Sequence, residues 1–89
     1  MAYRVELIPK AERELVALSK EIQKRIVRKL EQLADNPRCP GYRKLEGTER
    51  LYRIHAGRNH VIVYQIEDDS ALVLVIRIAD RKEVYRNLP

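Results

Sequence analysis

The chain has 89 residues, of which 45% are hydrophobic and 35% charged, and it carries a formal net charge of +5. This length supports one domain over residues 1–89 with one modest core, and the ordinary apolar fraction excludes wholesale disorder. The excess of lysine and arginine favours an acidic partner such as nucleic acid, a membrane surface or an acidic protein.

The number of cysteines and the length of the apolar runs indicate in which compartment the protein is expected. Cys39 is the single cysteine, so no intramolecular disulfide can form, and the N-terminus lacks a basic start followed by an apolar run. We therefore expect a cytoplasmic protein. The longest apolar run, 71–76, is far shorter than the roughly 20 residues that cross a bilayer, so no membrane association is expected. One cysteine and two histidines cannot complete a closed zinc site, although carboxylates could still hold a weakly bound metal.

The first half of the chain predicts one strand and two helices. Residues 3–8 alternate apolar and charged side chains, as in a strand with one buried face. Pro9 ends this strand and suits the first turn of a helix over 10–18. Ser19 is a candidate cap for a second amphipathic helix over 20–34. These two helices are predicted to form a hairpin.

The second half predicts three further strands. Residues 37–47 contain two prolines and two glycines and indicate a loop. Segments 51–56, 60–67 and 71–78 are rich in β-branched and aromatic residues and are separated by turn residues. The predicted fold is α+β, with a two-helix hairpin on one face of a four-stranded, mainly antiparallel sheet in the order β-α-α-β-β-β.

Strand alternation then divides the side chains between two faces of this sheet. The face covered by helices is predicted to hold Tyr52, Ile54, Ile62, Tyr64, Ile66, Leu72, Leu74, Ile76 and Ile78. The opposite face, predicted to be open, receives Arg53, His55, Val61, Val63, Gln65, Val73, Val75 and Arg77. A basic cluster is thus expected on the open face.

The residues capable of chemistry are arginine, histidine and tyrosine. The sequence has no glycine-rich phosphate loop, nucleophile elbow, paired CxxC or HExxH helix. It does place Arg53 and His55 two residues apart on one strand, and Arg81 and Tyr85 near the end. Arginine binds phosphate in a bidentate manner, histidine or tyrosine can move a proton, and aromatic or guanidinium planes stack on RNA bases.

A basic stretch in the second predicted helix has two interpretations. Lys24, Arg25, Arg28 and Lys29 form a positively charged helical face. A solvated helix surface is the favoured interpretation, and contact with ribosomal RNA is the competing one.

Four short motifs carry a family resemblance. Residues 44–47 read KLEG, 51–54 read LYRI, 63–66 read VYQI, and 77–86 read RIADRKEVYR. Together with the predicted order of elements, they resemble the RelE/ParE toxin superfamily over essentially the whole chain. The closing motif is the most specific part of this resemblance.

The RelE branch of the resemblance implies a type II toxin that cleaves mRNA in the ribosomal A site. The implied reaction is attack of a ribose 2′-hydroxyl on the adjacent phosphate, which leaves a 2′,3′-cyclic phosphate and a free 5′-hydroxyl, without a metal or other cofactor. The implied partners are a cognate antitoxin, the ribosome with its message, and operator DNA only through the antitoxin complex.

The resemblance, together with the basic residues at the predicted hairpin and near the end of the chain, gives the candidate site residues. Arg53, His55, Arg81 and Tyr85 are the candidate catalytic residues. The candidate RNA-binding residues are Lys44, Arg58, His60, Arg77 and Lys82, of which Arg77 is better explained as a support for Arg81 or the partner of an acid.

One position departs from the family pattern and keeps two other functions open. Relatives commonly carry an arginine three residues before Tyr64, where this chain has Val61, so Arg58 or His60 is expected to lean in and replace that charge. One alternative is a ParE-like toxin that blocks DNA gyrase, which does not need a basic, tyrosine-bearing face. The other is a detoxified module that acts with its antitoxin as a co-repressor, for which Val61 is the best indication.

Overall fold

The computed structural model of the chain describes residues 2–86, with side chains described as far as residue 84. The elements in chain order are β1 (Arg4–Leu7), α1 (Pro9–Val16), α2 (Lys20–Asp35), β2 (Arg43–Lys44), β3 (Tyr52–Ala56), β4 (His60–Glu67), β5 (Leu72–Asp80) and α3 (Arg81–Arg86). The predicted α+β class and the order of the main elements are confirmed.

The sheet has the strand order β1-β5-β4-β3-β2. β1 runs parallel to β5, and the other neighbouring strands pair antiparallel. Two short elements add to the prediction. Residues 43–44, predicted as loop, pair with β3 as a fifth strand, and residues 81–86 form a short helix after β5.

Local sequence explains the helix hairpin. Pro9 occupies the first turn of α1, where its missing N–H costs nothing. Ser19 Oγ accepts the backbone N–H of Ile22 at 3.4 Å, so the predicted cap of α2 is confirmed. Gln23 Nε2 donates to the carbonyl oxygens of Leu15 at 3.0 Å and Val16 at 3.2 Å, which ties α2 to the end of α1.

The main core lies between the helices and one face of the sheet, which we call the helix face. The helices contribute the buried side chains of Ala11, Ile26 and Leu33. The largest strand residue there is Tyr64, which is fully buried and donates its hydroxyl to the Pro37 carbonyl oxygen at 2.7 Å. That hydrogen bond satisfies a polar group that would otherwise be costly to bury.

A β-bulge changes the predicted faces of β5. Between β4 and β5, Val63 pairs with Arg77 whereas Tyr64 pairs with Val75, so Ile76 is the extra residue. The prediction assumed unbroken alternation. It was therefore wrong for Val73 and Val75, which lie in the main core.

The same pairing register changes the predicted positions of the alternate residues of β5. Leu72 and Leu74 pair with Glu67 and Gln65 and join neither core, and Ile76 packs against a second cluster instead of the main core. The predicted core positions of these three residues were therefore wrong.

The opposite side of the sheet, which we call the second face, is not fully open. Val61, Val63 and Ala79 form a small core there with Leu45 and Val84, which come from the loop after β2 and from α3. The expectation of an open face was therefore wrong for this part of the sheet. The second core anchors the loop and α3 around the residues predicted to be functional.

The free edge of β5 beyond β1 is covered by α1. Glu14 Oε1 accepts the backbone N–H of Ile78 at 2.9 Å, and Glu14 Oε2 accepts from Arg77 Nε at 3.0 Å. One carboxylate therefore satisfies an unpaired edge group and balances a buried guanidinium.

A polar cluster joins the N-terminus, the loop after α2 and the β4–β5 turn. Asp68 accepts the Tyr3 hydroxyl at 2.7 Å and two hydrogen bonds from the Arg38 guanidinium at 3.1 Å and 2.9 Å. The hydrogen bonds from Arg38, and then the one from Tyr3, lower the pKa of Asp68 to about 2.

No helix within residues 2–86 combines the length and apolar character needed to span a bilayer.

Candidate functional site

Arg53 and His55 lie on the second face of the sheet. In the pairing of β3 with β4, Arg53 is opposite Val63 and His55 is opposite Val61. Directly paired residues point to the same face, and both valines belong to the second core. The two side chains therefore border an apolar surface and are themselves half-buried.

A hydrogen bond joins these two side chains. Arg53 Nη1 lies 3.2 Å from His55 Nε2. A guanidinium can only donate, so Nε2 must accept, and the imidazole is neutral with its proton on Nδ1. Burial, then the positive charges of Arg53 and Arg81, lower the pKa of His55 below its usual value of 6.5. His55 is thus unprotonated on Nε2 at neutral pH, and this nitrogen can act as a base once Arg53 releases it.

Arg81 begins α3 close to this pair. Its backbone N–H donates to the Asn59 carbonyl oxygen at 2.7 Å, which fixes the start of α3 against the β3–β4 turn. Its charge contributes to the lowered pKa of His55, so the two groups share one electrostatic environment. Lys82, the next residue, is exposed and donates its backbone N–H to Asp80 at 2.9 Å.

The structure adds Arg43 to this face. Arg43 of β2 pairs directly with Arg53 of β3, so the two arginines lie side by side on the second face. Sequence reasoning missed this residue because 37–47 indicated a loop. The sequence offered one signal for Arg43. Together with Lys44 it forms a basic pair shortly before a segment rich in strand-forming residues.

Two predicted RNA-binding residues point to the other face. Lys44 pairs with Tyr52 and His60 pairs with Ala56, and both partners pack on the helix face. His60 is therefore on the opposite side of the sheet from His55 and cannot replace the charge missing at Val61. The expectation that it leans in was wrong.

The remaining predicted residues have mixed positions. Arg58 is exposed in the β3–β4 turn. Arg77 is buried and bound to Glu14, as its alternative interpretation anticipated. The side chain of Tyr85 lies outside the described residues.

The Arg53–His55–Arg81 arrangement, which we call the second-face site, has a defined chemical capability. Guanidinium groups can hold a phosphate and stabilise additional negative charge on it, and a neutral imidazole can accept a proton. Among the residues that the structure describes, no three His, Cys, Asp or Glu side chains are grouped so that they could hold a metal ion.

Comparison with known proteins supports one family. A family profile described as the ParE toxin of the type II toxin-antitoxin system, parDE, matches residues 5–85. No curated protein sequence matches the chain.

Solved structures give the same result. The isolated E. coli RelE toxin is 30% identical, with 96% of this chain and 92% of that chain covered and a TM-score of 0.71. The toxin in the intact E. coli RelBE toxin-antitoxin complex is 26% identical, with 89% and 96% covered and a TM-score of 0.77. The archaeal RelE-RelB complex from Pyrococcus horikoshii, at 24% identity, shows the shared fold, with 91% and 97% covered and a TM-score of 0.78.

Proposed function

The chain belongs to the RelE/ParE superfamily of type II toxins, and on that basis we propose that it is a RelE-type, metal-independent endoribonuclease that cleaves mRNA in the ribosomal A site. The observation that supports this proposal most directly is the second-face site. Two arginines share the environment of a histidine whose pKa is lowered. A toxin that only blocks another protein does not need this combination.

In the proposed reaction His55 acts as the base. Its Nε2 takes the proton of the ribose 2′-hydroxyl, the 2′-oxygen forms a bond to phosphorus, and the bond from phosphorus to the 5′-oxygen breaks. The Tyr85 phenol or a water molecule donates a proton to the departing 5′-oxygen, and the proton taken by His55 then returns to that donor through solvent. The products are a 2′,3′-cyclic phosphate and a 5′-hydroxyl. Arg53 and Arg81 stabilise the extra charge on the phosphate in the transition state.

Tyr85 completes the proposed site through the family resemblance. A phenol can donate the proton to the 5′-oxygen or stack on a splayed base. Its role is tested by the effect of Tyr85→Ala on toxicity.

Surrounding basic residues are proposed to position the RNA. Arg43 and Lys82 extend the positive charge of the second-face site. Arg77 is proposed to have a supporting role. It lies in β5, the strand that leads to Arg81, and its Nε donates to Glu14 of α1.

We also propose a cognate antitoxin as the natural partner. Two of the structures named above, the intact E. coli RelBE complex and the Pyrococcus horikoshii RelE-RelB complex, contain RelE together with RelB. The proposal includes binding of operator DNA only through the toxin-antitoxin complex, and synthesis and action in the cytoplasm.

Controlled expression tests the proposal. We expect growth arrest, reduced translation and, by primer extension, cuts within codons on translated messages only. Arg81→Ala and Tyr85→Ala should relieve the arrest while the variants remain folded by circular dichroism. Growth arrest with an intact transcriptome would rule out the nuclease, and full toxicity of both variants would rule out the proposed residues.

A ParE-like gyrase inhibitor is the second candidate, and it is favoured by the ParE description of the matching family profile. It predicts a DNA damage response on expression, with no cuts in translated messages. Purified protein would then inhibit DNA supercoiling by gyrase in the absence of ribosomes.

A detoxified co-repressor is the remaining candidate. Val61, where relatives commonly have an arginine, is fully buried in the second core directly beside His55. Harmless expression without any antitoxin, combined with operator binding by the complex, would support this candidate.

A further inference from the structure

A second group of positive charges lies at the β3–β4 turn on the helix side of the sheet. A pocket of about 250 Å³ opens between α2 and this turn, and it is lined by Arg25, Arg58 and His60 over an apolar floor of Ile22 and Ala56. No carboxylate is among its described lining residues. The pocket lining therefore offers hydrogen-bond donors without a carboxylate among them. The nearest acid by strand pairing is Asp80, opposite His60, and it accepts the backbone N–H of Lys82 at 2.9 Å.

The side chain of Arg25 lies against the turn. Gly57 has a φ of +79°, and a Cβ built on it would lie 3.7 Å from Arg25 Nη1 and 3.8 Å from Arg25 Cδ. The arginine side chain thus packs directly over the glycine that makes the turn. Arg25 nevertheless stays exposed to solvent, in agreement with the favoured interpretation of this helix face.

Neither Arg25 nor Arg58 takes part in an ion pair with any residue that the structure describes. Both side chains are exposed, so their planar donor groups are available to a ligand. A phosphate matches such forks in charge and geometry. The volume also suffices for a phosphate group with some hydration, since each water occupies about 30 Å³.

We propose that the pocket formed by Arg25, Arg58 and His60 binds an RNA backbone phosphate other than the one that is cleaved. This inference rests on the proposed function. The pocket and the second-face site cannot share one phosphate, because His60 and His55 lie on opposite faces of the sheet. The backbone N–H of Arg81 donates a hydrogen bond of 2.7 Å to the Asn59 carbonyl oxygen, and this bond connects the β3–β4 turn beside the pocket to α3. RNA that passes around this turn could therefore be held on both faces.

The test is an NMR titration of the full chain with two probes, inorganic phosphate and a non-cleavable 2′-O-methyl RNA hexamer. Backbone amide signals of residues 57–60 should shift in a saturable manner with each probe. The hexamer should saturate at a lower concentration and should prevent the shifts caused by phosphate.

Matched variants distinguish specific binding in the pocket from non-specific electrostatic attraction to the positively charged protein. Arg25→Gln with Arg58→Gln should weaken binding of both probes at least tenfold, and Arg25→Lys with Arg58→Lys should weaken it partly, because charge is kept but the bidentate fork is lost. Lys10→Gln with Arg13→Gln removes the same charge from α1 and should leave binding nearly unchanged. Thermal unfolding of all variants checks that the fold is retained.

The outcomes distinguish this proposal from the nuclease itself. Absence of saturable shifts, or equal weakening by the α1 control, would overturn the pocket. Saturation by phosphate without any response to the hexamer would show a small-anion site and would overturn the RNA assignment. If the hexamer binds the pocket but no message is cleaved on ribosomes, the pocket stands and the proposed reaction fails.

Discussion

Arg53 donates a hydrogen bond to Nε2 of His55 from two residues away on the same strand, at 3.2 Å. The contact holds the imidazole in its neutral form and also occupies the nitrogen that would act as a base. In the proposed reaction, an incoming phosphate attracts the Arg53 guanidinium and frees Nε2 for the 2′-hydroxyl. One pair of residues thus prepares the base and exchanges partners when RNA arrives.

The titration of His55 should reflect its two cationic neighbours. Its pKa is lowered by burial, by Arg53 and by Arg81, so base-dependent cleavage should persist as pH falls through 6.5 and decline only below that value. Arg53→Gln removes a positive charge and should raise the pKa, moving the NMR titration midpoint of His55 to higher pH. Arg13→Gln on α1 is the control and should leave the midpoint in place. An unchanged midpoint in the Arg53 variant would contradict the electrostatic coupling.

Arg81 and Lys82 are adjacent, exposed cations that should differ sharply in function. The charge of Arg81 contributes to the lowered pKa of His55, whereas Lys82 is not among the groups that shift this pKa. We expect Arg81→Gln to lower the rate of message cleavage by about 10²-fold or more, as for removal of a group that stabilises transition-state charge. Lys82→Gln should have a several-fold effect at most. Single-turnover cleavage on saturating ribosomes measures both, and equal losses would argue for general attraction alone.

Arg43 and Lys44 form a matched pair on β2. Arg43 shares the second face with Arg53, and Lys44 shares the helix face with Tyr52. Arg43→Gln should lower cleavage about tenfold, the loss expected for one charge-assisted hydrogen bond, and Lys44→Gln should have less effect on the reaction. The reverse order would mean that RNA follows the other face of the β2 edge.

Glu14 should be the most sensitive acidic residue for stability. Its side chain is 20% exposed and that of Arg77 is 10% exposed, so loss of the carboxylate leaves a nearly buried guanidinium and the Ile78 N–H without an acceptor. We expect Glu14→Ala to reduce the free energy of unfolding by about 2–4 kcal/mol, and Glu14→Gln by less, because an amide oxygen can still accept. Glu12→Ala, on the exposed side of the same helix, should change it by about 0.5 kcal/mol or less. Urea denaturation measures all three.

The Asp68 cluster should make stability sensitive to acid. The pKa of Asp68 in the folded protein is about 2, below its ordinary value of 3.8. The contribution of its carboxylate to stability is therefore fully present above pH 3.8 and is lost as the pH falls toward 2. The difference in unfolding temperature between the wild type and Asp68→Asn should therefore be largest at neutral pH and should shrink between about pH 4 and 2. A difference that stays constant over this range would mean that the carboxylate charge is not what stabilises the cluster.

Much of the architecture follows from local pattern. Pro9, Ser19 and the change of hydrophobic period after residue 50 sufficed to predict both main helices and the three long antiparallel-paired strands. These signals work because capping, proline geometry and strand alternation act over a few residues. The placement of Arg53 and His55 on one face follows from the same alternation.

Other features could not be predicted because they depend on pairing between distant segments. The bulge at Ile76 reverses the faces of Val73 and Val75, and the local sequence does not mark it, since residues 71–76 are all apolar and show no alternation that a bulge would interrupt. The pairing of Arg43 with Arg53 likewise requires β2 to form, and two residues carry too little pattern to indicate a strand.

The order of residues alone determined the class of fold, the candidate arginines and histidine, and the excess positive charge, because each depends on side-chain type and short spacing. Only the tertiary structure decided which of these groups meet. It brought Arg81 to His55, bound Arg77 to Glu14 and separated His60 from His55, because contacts between segments far apart in the chain are set by sheet register and packing.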